Sequence, residues 1–258
     1  MGAGPGDPEL LTIKALRILR LADVVLHDAL VSSDILQLAS SRALIVDVGK
    51  RRGRKNISQD EINRLLIQFA SSGHMVVRLK SGDPLVFGRA GEELDALQQA
   101  GIDVEIIPGV TTAVAAAATA QISLTDRRVA QQLLIISAHH AHDKYDDSNL
   151  FRMVSPRTTI VVYMPGEYGI VSERLRRAGL DSSTPCLLVS RVSTSEEQLF
   201  QTTLGGLPIA PVLPAPCILI VGATVARAVS QQVRAACMNY IPLEDESLLP
   251  AQSSDFAG

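Results

Sequence analysis

The sequence predicts an α/β protein: a mostly parallel sheet in an N-terminal domain over 1–112, a mixed sheet in a C-terminal domain over 113–238, and a flexible tail over 239–258. Three observations predict it. In the first half, short runs rich in Val and Ile alternate with helical patterns, the rhythm of a parallel sheet. In the second half, strand-like runs succeed one another more directly. Between them, "VTTAVAAAATAQISLT" around 110–125 holds a helix and the crossing between domains.

The elements follow in order. "ADVVLHD" (22–28), "ALIVDVG" (43–49), "HMVVRLK" (74–80) and "IDVEIIPG" (102–109) read as buried strands, each ended by Gly, Asp, Lys or Pro-Gly. "ELLTIKALRILRLA" is a helix with Leu10, Ile13, Leu16 or Arg17, and Leu21 near one face. "SQDEINRLLIQFASSG" opens on Ser58 with Glu61 three residues on, a capping box, and stops at Gly73; "AGEELDALQQAG" stops likewise at Gly101. Five later runs, "QQLLIISAHH", "TTIVVYM", "TPCLLVSRV", "QLFQTTL" and "PCILIVG", are strands, and "EYGIVSERLRRAG" and "ATVARAVSQQVRAA" are helices.

Composition narrows the function classes. A chain of 258 residues with 47% hydrophobic and 20% charged residues can bury a substantial core. Its longest apolar runs, such as "CILIVGA" at 217–223, fall far short of the roughly 20 residues that cross a bilayer. No secretory signal is visible, and no membrane partner is expected. A net charge of -3, 3% aromatic residues and no Trp argue against nucleic acid as a partner. Cys186, Cys217 and Cys237 are odd in number and dispersed, fitting neither a disulfide framework nor a metal knuckle, and so point to a reducing cytoplasm.

The residues that can carry chemistry lie in loops. "MGAGPGDPELLT" has the wrong glycine spacing for a dinucleotide fingerprint and only Met1 before it, so an NAD(P)-dependent oxidoreductase is a weak reading. Alongside "RLKSGDPLVFGR" and "PGVTTA" at 108–113, it makes three Gly- and Pro-bearing loops that point to a shared ligand crevice. Asp28 ends a strand in "VVLHDALVS", where a carboxylate either acts as a general base or caps the next turn. "GKRRGRK" at 49–55 is the densest basic cluster, implying an anionic ligand or a solvated loop. His139, His140 and His142 are too close together for a strand to aim all three at one ion, so no metal site is expected. Neither a G-x-S-x-G elbow nor a P-loop lysine motif is present.

Taken together, "GAGPGDPELLT", "ADVVLHDALVS", "VGKRRGR", "QDEIN", "VVRLKSGDPLVFGRAGEE", "PGVTTA", "VVYM" and "PCILIVG" resemble, in order and spacing, the tetrapyrrole methylase family, and within it the branch that methylates uroporphyrinogen III. The match runs from Gly2 to about Val229. The resemblance implies two α/β domains with an S-adenosylmethionine site between them, usually in a homodimer, and methylation of a small-molecule tetrapyrrole at C2 and C7 to give precorrin-2. S-adenosylhomocysteine is the implied by-product. It implies cofactor contacts for Pro5, Ser81, Gly82, Asp83, Val86, Thr111, Thr112, Met164 and Ser193. It also implies a proton-accepting role for Asp28 and a proton-donating role for Lys50. Arg51, Arg52, Arg54 and Arg89 would meet the carboxylates of the substrate.

Some positions depart from the family pattern. Ser81 stands where Gly is usual, Asp126 stands for His, Pro165 follows "YM", and Ser193 occupies a Gly position. These departures keep two alternatives in view: a related precorrin methyltransferase acting on a later corrinoid, and a cofactor-binding homologue of impaired activity. The chain has no room for the dehydrogenase and ferrochelatase domain of the multifunctional siroheme synthases, so NAD and iron chemistry are not expected. In the family an apolar strand leads into the first glycines. The expectation is therefore a start upstream of Met1 and a more stable extended chain.

Overall fold

The computed structural model describes residues 1–49, 57–138 and 153–228. Lys50, Arg51, Arg52 and Arg54, the His139, His140 and His142 cluster, and the 239–258 tail lie outside the described residues.

The first sheet has the order β2-β1-β3 and is wholly parallel, with β1 (Val24–His27) between β2 (Leu44–Asp47) and β3 (Val76–Leu79). Four helices accompany it: α1 (Ile13–Leu21), the short α2 (Ser33–Leu36), α3 (Gln59–Ser71) and α4 (Ala90–Gln99). The signals expected for α3 are present atom by atom. The Ser58 hydroxyl accepts from the Glu61 amide at 3.2 Å, the Glu61 carboxylate accepts from the Ser58 amide at 2.7 Å, and Gly73 takes a left-handed φ of 83°.

The second sheet has the order β4-β5-β8-β6-β7 and is mixed. β4 (Gln132–Ser137) and β5 (Thr158–Tyr163) are parallel, whereas β8 (Cys217–Val221) runs antiparallel to both β5 and β6 (Pro185–Ser190). β7 (Gln198–Thr203) completes the edge against β6. Its central strands are buried on both faces: α5 (Thr112–Thr119) covers one through Ala113, Ala116 and Ala117, and α6 (Tyr168–Arg177) covers the other through Val171 and Leu175. The alanines of α5 let its backbone approach the sheet closely, and so a helix of weak amphipathicity is well buried.

Four expectations need correction. Helix α1 starts only at Ile13, capped by the Thr12 hydroxyl, so Leu10 falls in the preceding turn. The buried face is Ala15 and Leu19, while Ile13 and Leu21 are exposed, so the helical period is as expected but its phase differs. Strand β2 is not buried, because it lies at the sheet edge with Leu44 and Ile45 largely exposed. Residues 102–109 form no strand, since only Ile107 meets a neighbouring strand-like backbone, its carbonyl accepting from the Gly2 amide at 2.9 Å. The "ATVARAVSQQVRAA" helix is a 3-10 turn over Ala223–Arg227 within the described residues.

Candidate active site

The carboxyl ends of β1 and β3 and three loops meet at one place. The Ala3 amide donates to the Lys80 carbonyl at 2.8 Å, and Gly4 and Gly82 exchange two backbone hydrogen bonds of 3.1 and 2.7 Å. The third loop joins through Gly109, whose amide donates to the Asp83 carboxylate at 2.9 Å. Contact here is backbone on backbone. A Cβ on Gly109 would lie 2.4 Å from the Gly82 carbonyl oxygen, and one on Gly2 would lie 2.6 Å from the Gly109 nitrogen. Only residues without a side chain allow this crossing. Gly109→Ala should therefore lower stability by about 1–3 kcal/mol through backbone displacement, and should weaken S-adenosylhomocysteine binding measured by calorimetry. An unchanged melting temperature together with unchanged binding would refute the crossing as described.

Loops from the second sheet reach the same crossing. A Cβ on Gly6 would lie 2.8 Å from the Thr194 methyl and 3.4 Å from the Ser193 carbonyl oxygen. The Tyr163 hydroxyl, at the end of β5, accepts from the Ala113 amide at 3.0 Å and lies 2.5 Å from the Thr111 hydroxyl. This ties the start of α5 to the sheet. The Phe87 ring packs on Tyr163 with centroids 5.1 Å apart. Phe87, Met164 and Ser193 all take left-handed backbone angles, φ of 53°, 50° and 61°, a conformation that is costly for residues other than glycine. Met164 and Ser193 lie just beyond the ends of β5 and β6, Phe87 lies in the loop between β3 and α4, and Phe87 and Met164 stay exposed. Such strain gathered at strand ends is typical of ligand sites.

Of the residues singled out from the sequence, Ser81, Gly82 and Asp83 form the turn after β3, with Val86 closing it by a 3.3 Å bond from its amide to the Asp83 carbonyl. Thr111 and Thr112 begin α5, and Met164 and Ser193 follow β5 and β6. Pro5 lies in the first loop between Gly4, which pairs with Gly82, and Gly6, which packs close to Thr194. The structure thus brings all nine into one cluster of strand-end loops. The donor set suits a nucleoside with an amino-acid tail: exposed apolar side chains for a ring, free-angled backbone around the glycines for close approach, and hydroxyls at Ser81, Thr111 and Thr112. Arg89 is on the rim, exposed and bound in a two-point pair to Glu92 at 2.7 and 2.6 Å.

Asp28 follows β1, its amide bonded to the Leu79 carbonyl at 3.1 Å, one residue from the strand end that holds Met1 and Ala3. Its carboxylate pairs with Arg78. Behind that pair lies a group of charges that the sequence reading missed. Arg78 Nε donates to Glu93 at 3.0 Å, and buried Lys80 donates to the same carboxylate oxygen at 2.8 Å. Burial works to raise the pKa of Glu93, but Arg78 and the Lys80 hydrogen bond outweigh it and hold the carboxyl below its ordinary range. Burial, aided by Arg78, pushes the Lys80 ammonium down. The available signal was two charges at alternate positions in the apolar run "VVRLK": side chains on one face of a buried strand that have to find counter-charges.

The architecture and the loops match known proteins. A family model described as Tetrapyrrole (Corrin/Porphyrin) Methylases matches residues 1–208. The chain belongs to this family. Among relatives of this tetrapyrrole methylase, a uroporphyrinogen-III C-methyltransferase of Paracoccus denitrificans is 41% identical over 88% of the chain and 81% of the relative. An S-adenosyl-L-methionine-dependent uroporphyrinogen III methyltransferase of Arabidopsis thaliana is 47% identical over 75% of the chain and 53% of the relative. The methylase spans about half of the siroheme synthases it resembles, 48% of the one from Methylococcus capsulatus. Among solved structures, a uroporphyrin-III C-methyl transferase of Thermus thermophilus complexed with S-adenosylhomocysteine superposes with a TM-score of 0.75 at 40% identity, over 88% of this chain and 97% of that one. A cobalt precorrin-4 methyltransferase gives a TM-score of 0.78 at 29% identity, over 87% and 94%.

Proposed function

We propose that this methylase transfers methyl groups from S-adenosylmethionine to C2 and C7 of uroporphyrinogen III, giving precorrin-2 for siroheme or cobalamin synthesis, as a homodimer in the cytoplasm. The observation that carries the reading is a carboxylate, Asp28, held by Arg78 beside the crossing of three glycine loops, in a chain 41% identical to the Paracoccus enzyme. Pro5, Ser81, Gly82, Asp83, Val86, Thr111, Thr112, Met164 and Ser193 would hold the cofactor. When bound, S-adenosylmethionine supplies a methyl group already activated by its sulfonium. What remains for the protein is alignment and charge.

Attack by an electron-rich pyrrole carbon leaves a cationic macrocycle. Asp28 stabilises that charge and accepts the one proton lost per methyl transferred, while Lys50 would give and take back a proton only as the double bonds of the macrocycle rearrange, with no net uptake. The substrate is a polycarboxylate, and Arg51, Arg52, Arg54 and Arg89 are the cations assigned to it; Arg89 would exchange Glu92 for a substrate carboxylate. Purified protein incubated with labelled S-adenosylmethionine and uroporphyrinogen III should incorporate label and yield precorrin-2. Incorporation only into a later corrinoid would favour the precorrin-4-type reading, and binding of S-adenosylhomocysteine without any turnover would favour an impaired homologue.

A further inference from the structure

We infer that Glu93 is a positioning residue for methyl transfer: from α4 it fixes the Arg78 guanidinium, which in turn holds the Asp28 carboxylate. This rests on the reading of Asp28 as the proton acceptor. The geometry is a relay of three side chains from three elements. Arg78 projects from β3 with its side chain only 11% exposed, and every nitrogen of its fork is engaged. Nε donates to Glu93 at 3.0 Å, one terminal nitrogen donates to the Leu79 and Leu26 carbonyls at 3.2 and 3.4 Å, and the other donates to Asp28. A planar group pinned at three points has no rotational freedom left.

Glu93 is anchored in turn. Its Oε1 accepts from Arg78 and from Lys80 at 2.8 Å, and from the Gln59 amide of α3 at 3.2 Å. It is 4% exposed, and the cavity that it lines together with Arg78 and Lys80 does not include Asp28. Asp28, with its side chain 32% exposed against 11% for Arg78 and 6% for Glu93, is the member of the relay most open to solvent. Burying two cations around one carboxylate is a costly way to stabilise a fold, since apolar residues would do as well. What the arrangement provides instead is a fixed direction for Asp28.

The test is Glu93→Gln in the full chain, measured beside Asp28→Asn. Glutamine keeps the shape but loses the charge-assisted bond to Arg78. Expected is a fall in kcat of about 10–100-fold, per site counted by S-adenosylhomocysteine binding, with KM for the tetrapyrrole little changed. A second variant, Arg78→Lys, keeps the charge but cannot span Asp28 and Glu93 together; it should lose kcat similarly, and the double variant should be no worse than either single one. If both single variants bind S-adenosylhomocysteine and keep their kcat while only thermal stability falls, Glu93 is structural and the inference is overturned. Multiplicative losses in the double variant would overturn it too. Should Asp28→Asn retain full activity, the Asp28 reading itself fails, an outcome separate from either of these.

Discussion

Asp28→Asn should leave a folded protein that still binds S-adenosylhomocysteine, with methylation of uroporphyrinogen III reduced about 10²–10⁴-fold. Asparagine has nearly the same volume and can still accept from Arg78, so the end of β1 should keep its shape. What it lacks is the negative charge that compensates the cationic macrocycle and the basicity to take up its proton. The loss should therefore appear in kcat, with binding of the cofactor product intact. Single-turnover measurement with labelled S-adenosylmethionine separates the two, and a variant with near-native kcat would remove Asp28 from the chemistry.

Fusing five apolar residues ahead of Met1 is expected to raise the melting temperature by roughly 10 °C. β3 pairs with β1 along one edge; along the other, among the described residues, it is met only by Met1–Ala3, through bonds from Met1 to the Arg78 carbonyl and from Lys80 to the Met1 carbonyl of 2.8 and 3.0 Å. Beyond Met1 that line continues into a cavity of about 420 Å³ between β3 and residues 102–107, walled by Ile18, Val76, Leu97, Ile102 and Ile106, with Arg78, Lys80 and Glu93 at its charged end. The α-amino group enters it buried, with its pKa lowered to about 6 by burial and by Lys80 and Arg78. A fused strand would replace that amine with an amide. Five side chains at about 2.2 kcal/mol each, against about 1.5 kcal/mol per residue of chain ordering, leave a net of roughly 3–4 kcal/mol. For a protein of this size that corresponds to roughly 10 °C. Calorimetry on the fused protein and on a control carrying five Ser and Lys residues decides it. Equal melting temperatures would mean that the cavity is not a strand site.

That cavity also explains why one strand was misread from the sequence. "IDVEIIPG" has the composition of a buried strand, yet a strand is defined by its neighbours, and Ile107 alone has one, in Gly2. Val104 and Ile106 are consequently left exposed. The same reasoning separates β1 from β2: both are Val- and Ile-rich runs, but β1 is central and fully buried while β2 lies at the edge. Helix α3, by contrast, was legible to the residue, because Ser58, Glu61 and Gly73 act on groups within one turn of themselves. The loops of the site were legible for a similar reason, since glycine and proline declare their backbone requirements locally.

By itself, then, the sequence determined the alternation of elements, the ends of the helices and the loops that carry ligand chemistry, all of which arise from interactions over a few residues. Tertiary structure decided which face of α1 is buried, which strands are central, and that Glu93 reaches Arg78 and, through it, Asp28. Those three residues come from α4, β3 and the end of β1. Each is an ordinary charged side chain in its own segment. Their roles exist only because a parallel sheet sets β1 beside β3, α4 packs where it can reach Arg78, and charges removed from water have to pair.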